Sequence, residues 1–136
     1  MASEIAPNGV PAYLSNELAD RKGEPVVATV AALGGAGSAI DPAVIDAAVR
    51  AWAANTKRAF LSDLALWNEW CRVNGVRAPG ADARLVADWV RALGGLETER
   101  RLRTPIKRRA PATIARYLVH VGMAYRMAGL TDPTAA

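Results

Sequence analysis

A chain of 136 residues, 51% hydrophobic and 22% charged, has the length and composition of one globular domain rather than of a disordered segment. Its single cysteine, Cys71, excludes a disulfide framework and a thiolate zinc site. Its single histidine, His120, excludes a histidine metal cluster, and no apolar run approaches the ~18 residues of a membrane span. The start, Met1-Ala-Ser-Glu-Ile, has neither the basic region nor the apolar core of a secretory signal, so a reduced, cytoplasmic chain is expected, and no cofactor is assigned. The net charge of +4 is divided unevenly. Residues 1–54 carry three basic and six acidic side chains, whereas residues 55–136 carry fourteen and seven, an excess of +7 suited to a polyanionic partner.

In chain order, residues 1–40 read as a flexible leader. They hold Pro7, Pro11, Pro25 and five glycines without a sustained period. The apolar stretch Val26 to Leu33 is short for a helix, and Gly34-Gly35-Ala36-Gly37-Ser38 follows it as a linker would; a short docking segment near Val26 is the most this region promises. The folded part is expected over 41–134. Asp41-Pro42 combines an N-cap with proline at the first helical position and opens a helix over 42–53, with Val44, Ile45, Ala48, Val49 and Trp52 on its apolar side. Asn55-Thr56 can cap a second helix that runs to the stop signal Asn74-Gly75, with Phe60, Leu64, Trp67 and Cys71 as its stripe. Asp82 caps a third, carrying Leu85, Val86, Trp89, Val90 and Leu93 to Gly94-Gly95. After a basic loop over 96–111, a fourth begins near Pro111 and buries Ile114, Leu118, Val121 and Tyr125 before Gly129. No strand pattern interrupts 41–130, so the expected fold is all-α: a compact bundle of four, at most five, helices.

No nucleophile or acid–base set can be assembled from this chain, and no catalytic or metal-binding residue is assigned. Cys71 lies on an apolar stripe, where cysteine behaves as a small hydrophobe. His120 falls off the Ile114–Leu118–Val121 stripe, which points it to solvent or to a phosphate. Glycines 34, 35 and 37 neither follow a predicted strand nor lead into Lys-Ser/Thr, so they do not form a phosphate-binding loop.

The cations say more. Arg100, Arg101, Arg103, Lys107, Arg108 and Arg109 occupy six of ten consecutive positions. Lys57 and Arg58 fall in the first turn of a helix, where the dipole favours negative charge and where a bound phosphate would offset their cost. Thr113 and Arg116 open the last helix directly after the basic loop. Two helix N-termini, each with a hydroxyl and a cation, make a surface suited to DNA. Arg58, Ser62 and Ala65 continue it along the polar face of the second helix. Arg116, off the apolar stripe, is expected to project outward, where arginine can read the N7 and O6 of guanine.

These residues resemble a known family. Asn55-Thr56-Lys57-Arg58-Ala59-Phe60, Trp67-Asn68-Glu69-Trp70-Cys71, Val86-Ala87-Asp88-Trp89-Val90, Ala112-Thr113-Ile114-Ala115-Arg116-Tyr117-Leu118 and Ala128-Gly129-Leu130-Thr131-Asp132-Pro133-Thr134 are together similar to the N-terminal core-binding (SAM-like) domain of tyrosine recombinases, or phage integrases, of the Cre type. The resemblance covers about residues 41–134. It implies a helical domain that holds duplex DNA through the major groove as half of a clamp, for integration or recombination by a C-terminal catalytic domain absent from this chain. By position it adds Asn55, Thr56, Ala59, Ser62, Ala112 and His120 to Lys57, Arg58, Lys107, Arg108, Arg109, Thr113 and Arg116 as DNA contacts. Its implied partners are double-stranded DNA, the chain's own catalytic domain and other recombinase subunits on DNA, with no membrane. The chain departs from the family pattern in its longer, more basic 96–111 loop. Positions for the family's catalytic arginines, lysine, histidines and tyrosine nucleophile are missing, and Tyr13, Tyr117 and Tyr125 do not take that role. Two other functions fit the same residues: a stand-alone helical DNA-binding regulator, and a helical protein-interaction adaptor docking through its first helix and leader.

Overall fold

Among the described residues proline opens three of the five α-helices, at the position where its missing N–H costs no intrahelical bond. A computed structural model describes residues 25–34, 41–98 and 107–135, and among these all regular structure is helical. The elements are α1 (Pro25–Gly34), α2 (Pro42–Arg50), α3 (Ala54–Val73), a 3₁₀ turn (Ala78–Gly80), α4 (Ala83–Leu93) and α5 (Pro111–Met127). Tyr13, Arg100, Arg101 and Arg103 lie outside the described residues, as do most of the expected leader and the middle of the basic loop.

The capping chemistry accounts for two of the starts. Asp41 accepts from the Ala43 amide at 2.9 Å, and Asp82 from the Leu85 amide at 2.9 Å. α3 and α4 end on Gly75 and Gly95, whose φ values of 66° and 77° favour glycine. The expected Asn55-Thr56 cap is corrected. α3 starts at Ala54, its N-cap Ala53 offers no side-chain bond, and Asn55 Oδ1 accepts from Arg58 Nη1 at 3.2 Å instead. Trp52, between α2 and α3, packs edge-on against Phe60 with ring centroids 5.2 Å apart. α2 ends at Arg50 and buries only Ile45 and Val49, leaving Val44 and Ala48 exposed.

The expected leader boundary at residue 40 is corrected too. α1 packs against α2, α3, α5 and the 3₁₀ turn, and its Val26 and Val30 are wholly buried with Leu33 beside them. A ten-residue helix is marginal alone, but burying each of these side chains contributes about 1.5–3 kcal/mol. The folded unit therefore includes residues 25–34, and five α-helices share one core.

Its centre is aromatic. Trp67 meets Trp89 edge-on with centroids 5.1 Å apart, and Trp89 stacks on Tyr117 at 5.9 Å. These long rings attach α4 to the α3–α5 pair. Buried polar tips find partners here, as burial requires. Trp67 Nε1 donates to the Tyr125 hydroxyl at 3.0 Å, that hydroxyl donates to the Ala78 carbonyl, and Trp70 Nε1 donates to the Leu85 carbonyl at 3.1 Å. Burial pushes the Tyr125 hydroxyl up to about 12 and the Cys71 thiol likewise to about 12, so neither is a nucleophile at neutral pH.

Candidate nucleic-acid interface

α3 and α5 make the most extensive helix pair of the fold, and one charged side chain lies between them. Asp63 is only 1% exposed. Its Oδ1 accepts from Arg116 Nη2 at 2.9 Å and its Oδ2 from Arg116 Nε at 3.0 Å, a two-pronged ion pair. His120 Nδ1 approaches Oδ2 at 2.7 Å; an ionised carboxylate only accepts, so Nδ1 carries the hydrogen. The His120 ring also meets Phe60 edge-on at 5.6 Å. Hydrogen bonding to Asp63, reinforced by its charge, pushes the Arg116 pKa above the ordinary value.

This arrangement corrects the expectation for His120 and adds an inward partner to the one for Arg116. His120 faces neither solvent nor phosphate: it is buried against Asp63, because the apolar face of α5 runs through Tyr117, Val121, Ala124 and Tyr125 rather than through Leu118, which is half-buried. Arg116 does reach the surface, but only half of its side chain is exposed, and one edge of its guanidinium is committed to Asp63.

Around this crossing the remaining candidates spread over two helix starts and the strand of chain leading into α5. Asn55, Thr56, Arg58 and Ser62 are exposed on α3, with Lys57 and Ala59 half-buried. Lys107 and Arg108 are exposed, Ala112 is exposed, and Thr113 is half-buried. Arg109 is tied back on both sides: its amide donates to the Leu93 carbonyl at 2.8 Å, and its Nε donates to the Tyr117 hydroxyl at 3.1 Å. Arg116 Cζ lies 5.4 Å from the centre of the same Tyr117 ring, so one tyrosine organises two guanidinium groups. Neither α3 nor α5 has an acidic residue in its first turn, so the partial positive charge of both N-termini is not offset there.

Elsewhere the surface is of mixed sign. An open cleft of about 610 Å³ on the outer side of α4 is lined by Arg84 and Arg91 but also by Asp88 and Glu97. Among the described residues no group of three or more His, Cys, Asp or Glu could hold a metal ion, and no helix is long and apolar enough to cross a membrane.

Asp63 is the residue that the sequence reading missed. Three positions after Phe60 and four before Trp67, it lies within the apolar stripe of α3, and a carboxylate in that place signals a buried cationic partner. Comparison with protein-family models, with curated proteins and with solved structures gives no match.

Proposed function

We propose that the chain binds duplex DNA through the start of α3, the start of α5 and the basic segment before it. In this reading it is the DNA-holding domain of a site-specific tyrosine recombinase, with strand exchange left to a separate catalytic domain. The observation that carries the proposal is the pairing of two helix N-termini, each free of acidic residues in its first turn, with Lys57 and Arg58 on one and Thr113 and Arg116 on the other. Free amides and the helix dipole suit phosphate oxygens, and the adjacent cations and hydroxyls extend the same chemistry. The recombinase assignment adds the sequence resemblance over 41–134. This stretch supplies grip and orientation, and no covalent protein–DNA adduct is expected from it.

Fluorescence anisotropy of a labelled duplex against this chain, repeated over a salt series, tests the proposal. The logarithm of the binding constant should fall with the logarithm of salt by about 0.9 for each phosphate neutralised. Replacing Lys57 and Arg58 together by alanine should reduce that slope by about 2 and weaken all sequences alike. Absence of salt-dependent binding would contradict the proposal.

A further inference from the structure

We propose that Asp63 is a positioning residue for a base-reading arginine: it holds the Nε–Nη2 edge of Arg116 and so presents the Nη1–Nη2 edge outward, to the N7 and O6 of a guanine in the major groove. The inference rests on the DNA-binding reading above and assigns it a specificity determinant.

Arginine has five N–H donors in a rigid plane. Asp63 takes two of them, one on Nε and one on Nη2, leaving two on Nη1 and one on Nη2. Two of those three, one on each Nη, point together off the end of the plane, which is again a two-pronged donor. The side chain is half exposed while its partner is 1% exposed, so the brace lies inside and the free edge outside. Small residues flank it, with Ala59 one turn before Asp63 on α3 and Ala112 one turn before Arg116 on α5. The brace is itself fixed, since His120 holds Oδ2 at 2.7 Å and is packed against Phe60, and the Tyr117 ring lies beside the guanidinium.

Charge decides between a base and a phosphate as the target. Arg116 and Asp63 together are neutral, which weakens the pull on a phosphate but leaves the directed N–H donors intact. Phosphate needs charge rather than a fixed plane, and Lys57, Arg58, Lys107 and Arg108 can supply it. A guanine edge needs two donors at a fixed angle. A role in stability alone would also be served by an apolar residue in place of Asp63, because taking that carboxylate out of water offsets most of its attraction to the half-exposed Arg116.

The test is selection of a randomised duplex library by the whole chain, followed by anisotropy on the selected duplex and its single-base-pair variants over a salt series. Wild type should prefer guanine at one position by roughly 5- to 150-fold. Asp63→Asn should lose most of that preference while its affinity for unselected duplex stays level or rises and its salt slope steepens by up to about 0.9, because Arg116 then carries an unneutralised charge. Arg116→Lys, which keeps the charge but lacks the fork, should lose the preference without that steepening, and it carries the test if thermal melts show that Asp63→Asn does not fold. Salt-dependent binding with the guanine preference intact in a folded Asp63→Asn or in Arg116→Lys overturns this inference and leaves the DNA-binding reading standing. Equal loss on every duplex assigns Arg116 to a phosphate and overturns it as well. No binding of any duplex by wild type overturns both.

Discussion

Along α3 and α5 the two helices meet in two different ways. Around Trp67, Trp89 and Tyr125 the contact is aromatic, with the polar tips of Trp67 and Tyr125 bonded inside the core. Around Asp63 it is ionic, with a buried carboxylate held between a half-exposed arginine and a buried histidine. The aromatic stretch holds the fold together, since buried area contributes stability roughly in proportion to its size. Nothing comparable recommends the ionic stretch on grounds of stability: the Asp63 carboxylate must leave water, and its attraction to the half-exposed Arg116 barely recovers that cost. Its distinctive product is a guanidinium held in a fixed orientation at the surface, on the second turn of α5.

If that division is right, the two stretches respond differently to substitution. The largest effect is expected in the aromatic one: Trp67→Ala should destabilise by about 3–5 kcal/mol, seen as a lower denaturant midpoint, because no neighbour can refill the space. In the ionic stretch the outcome depends on which partner is removed. Arg116→Ala leaves Asp63 buried with only His120 and should cost about 3 kcal/mol, the low end for a broken buried pair. Asp63→Leu removes the buried charge and leaves Arg116 half in water, so it should fall within about 1 kcal/mol of wild type. A loss in Asp63→Leu as large as that in Arg116→Ala would show that the pair is a source of stability after all.

A smaller effect is expected where the last residues return over α5. A Cβ at Gly122 would come within 2.7 Å of Asp132 Oδ2 and 2.9 Å of Thr134 Oγ1. Gly122→Ala should therefore push this clasp off and cost about 1–2 kcal/mol. Asp132 also sets a pH dependence. Burial alone would raise its carboxyl, but hydrogen bonds from the Thr134 hydroxyl and amide, together with Arg126, outweigh burial and hold it below the ordinary 3.8. A carboxyl lowered by folding adds stability above its unfolded value, and that contribution is lost as pH falls through the folded value. Melts of wild type and Asp132→Asn should thus differ near neutrality and converge in acid; parallel curves would contradict this.

The contrast between the two stretches also explains what could be read from sequence. Local chemistry was legible: Asp41 and Asp82 as caps, Gly75 and Gly95 as stops, and Trp67 and Trp89 as core. What depends on distant neighbours was not. α1 is ten mostly apolar residues with little pattern of their own, and it becomes a helix because four other elements bury it. On α5 the stripe was centred on Leu118, because the small Ala124 and Ala128, which mark the true buried face, give little hydrophobic signal. That displacement turned His120 outward on paper and hid its partner Asp63. The candidate surface at Lys57, Arg58 and Thr113 was legible as charge near helix starts, but the brace behind Arg116 joins residues 53 positions apart.

The claim that the α3–α5 starts hold DNA is tested most directly by following the backbone amide resonances of this chain as duplex is added at low salt. The account predicts shifts concentrated at residues 54–62, 107–113 and 116, fading as salt is raised, with the Arg84 to Arg91 face of α4 and the Trp67–Tyr125 core unmoved. Shifts centred on α4 instead, or on the exposed side of α2 around Val44, would contradict it.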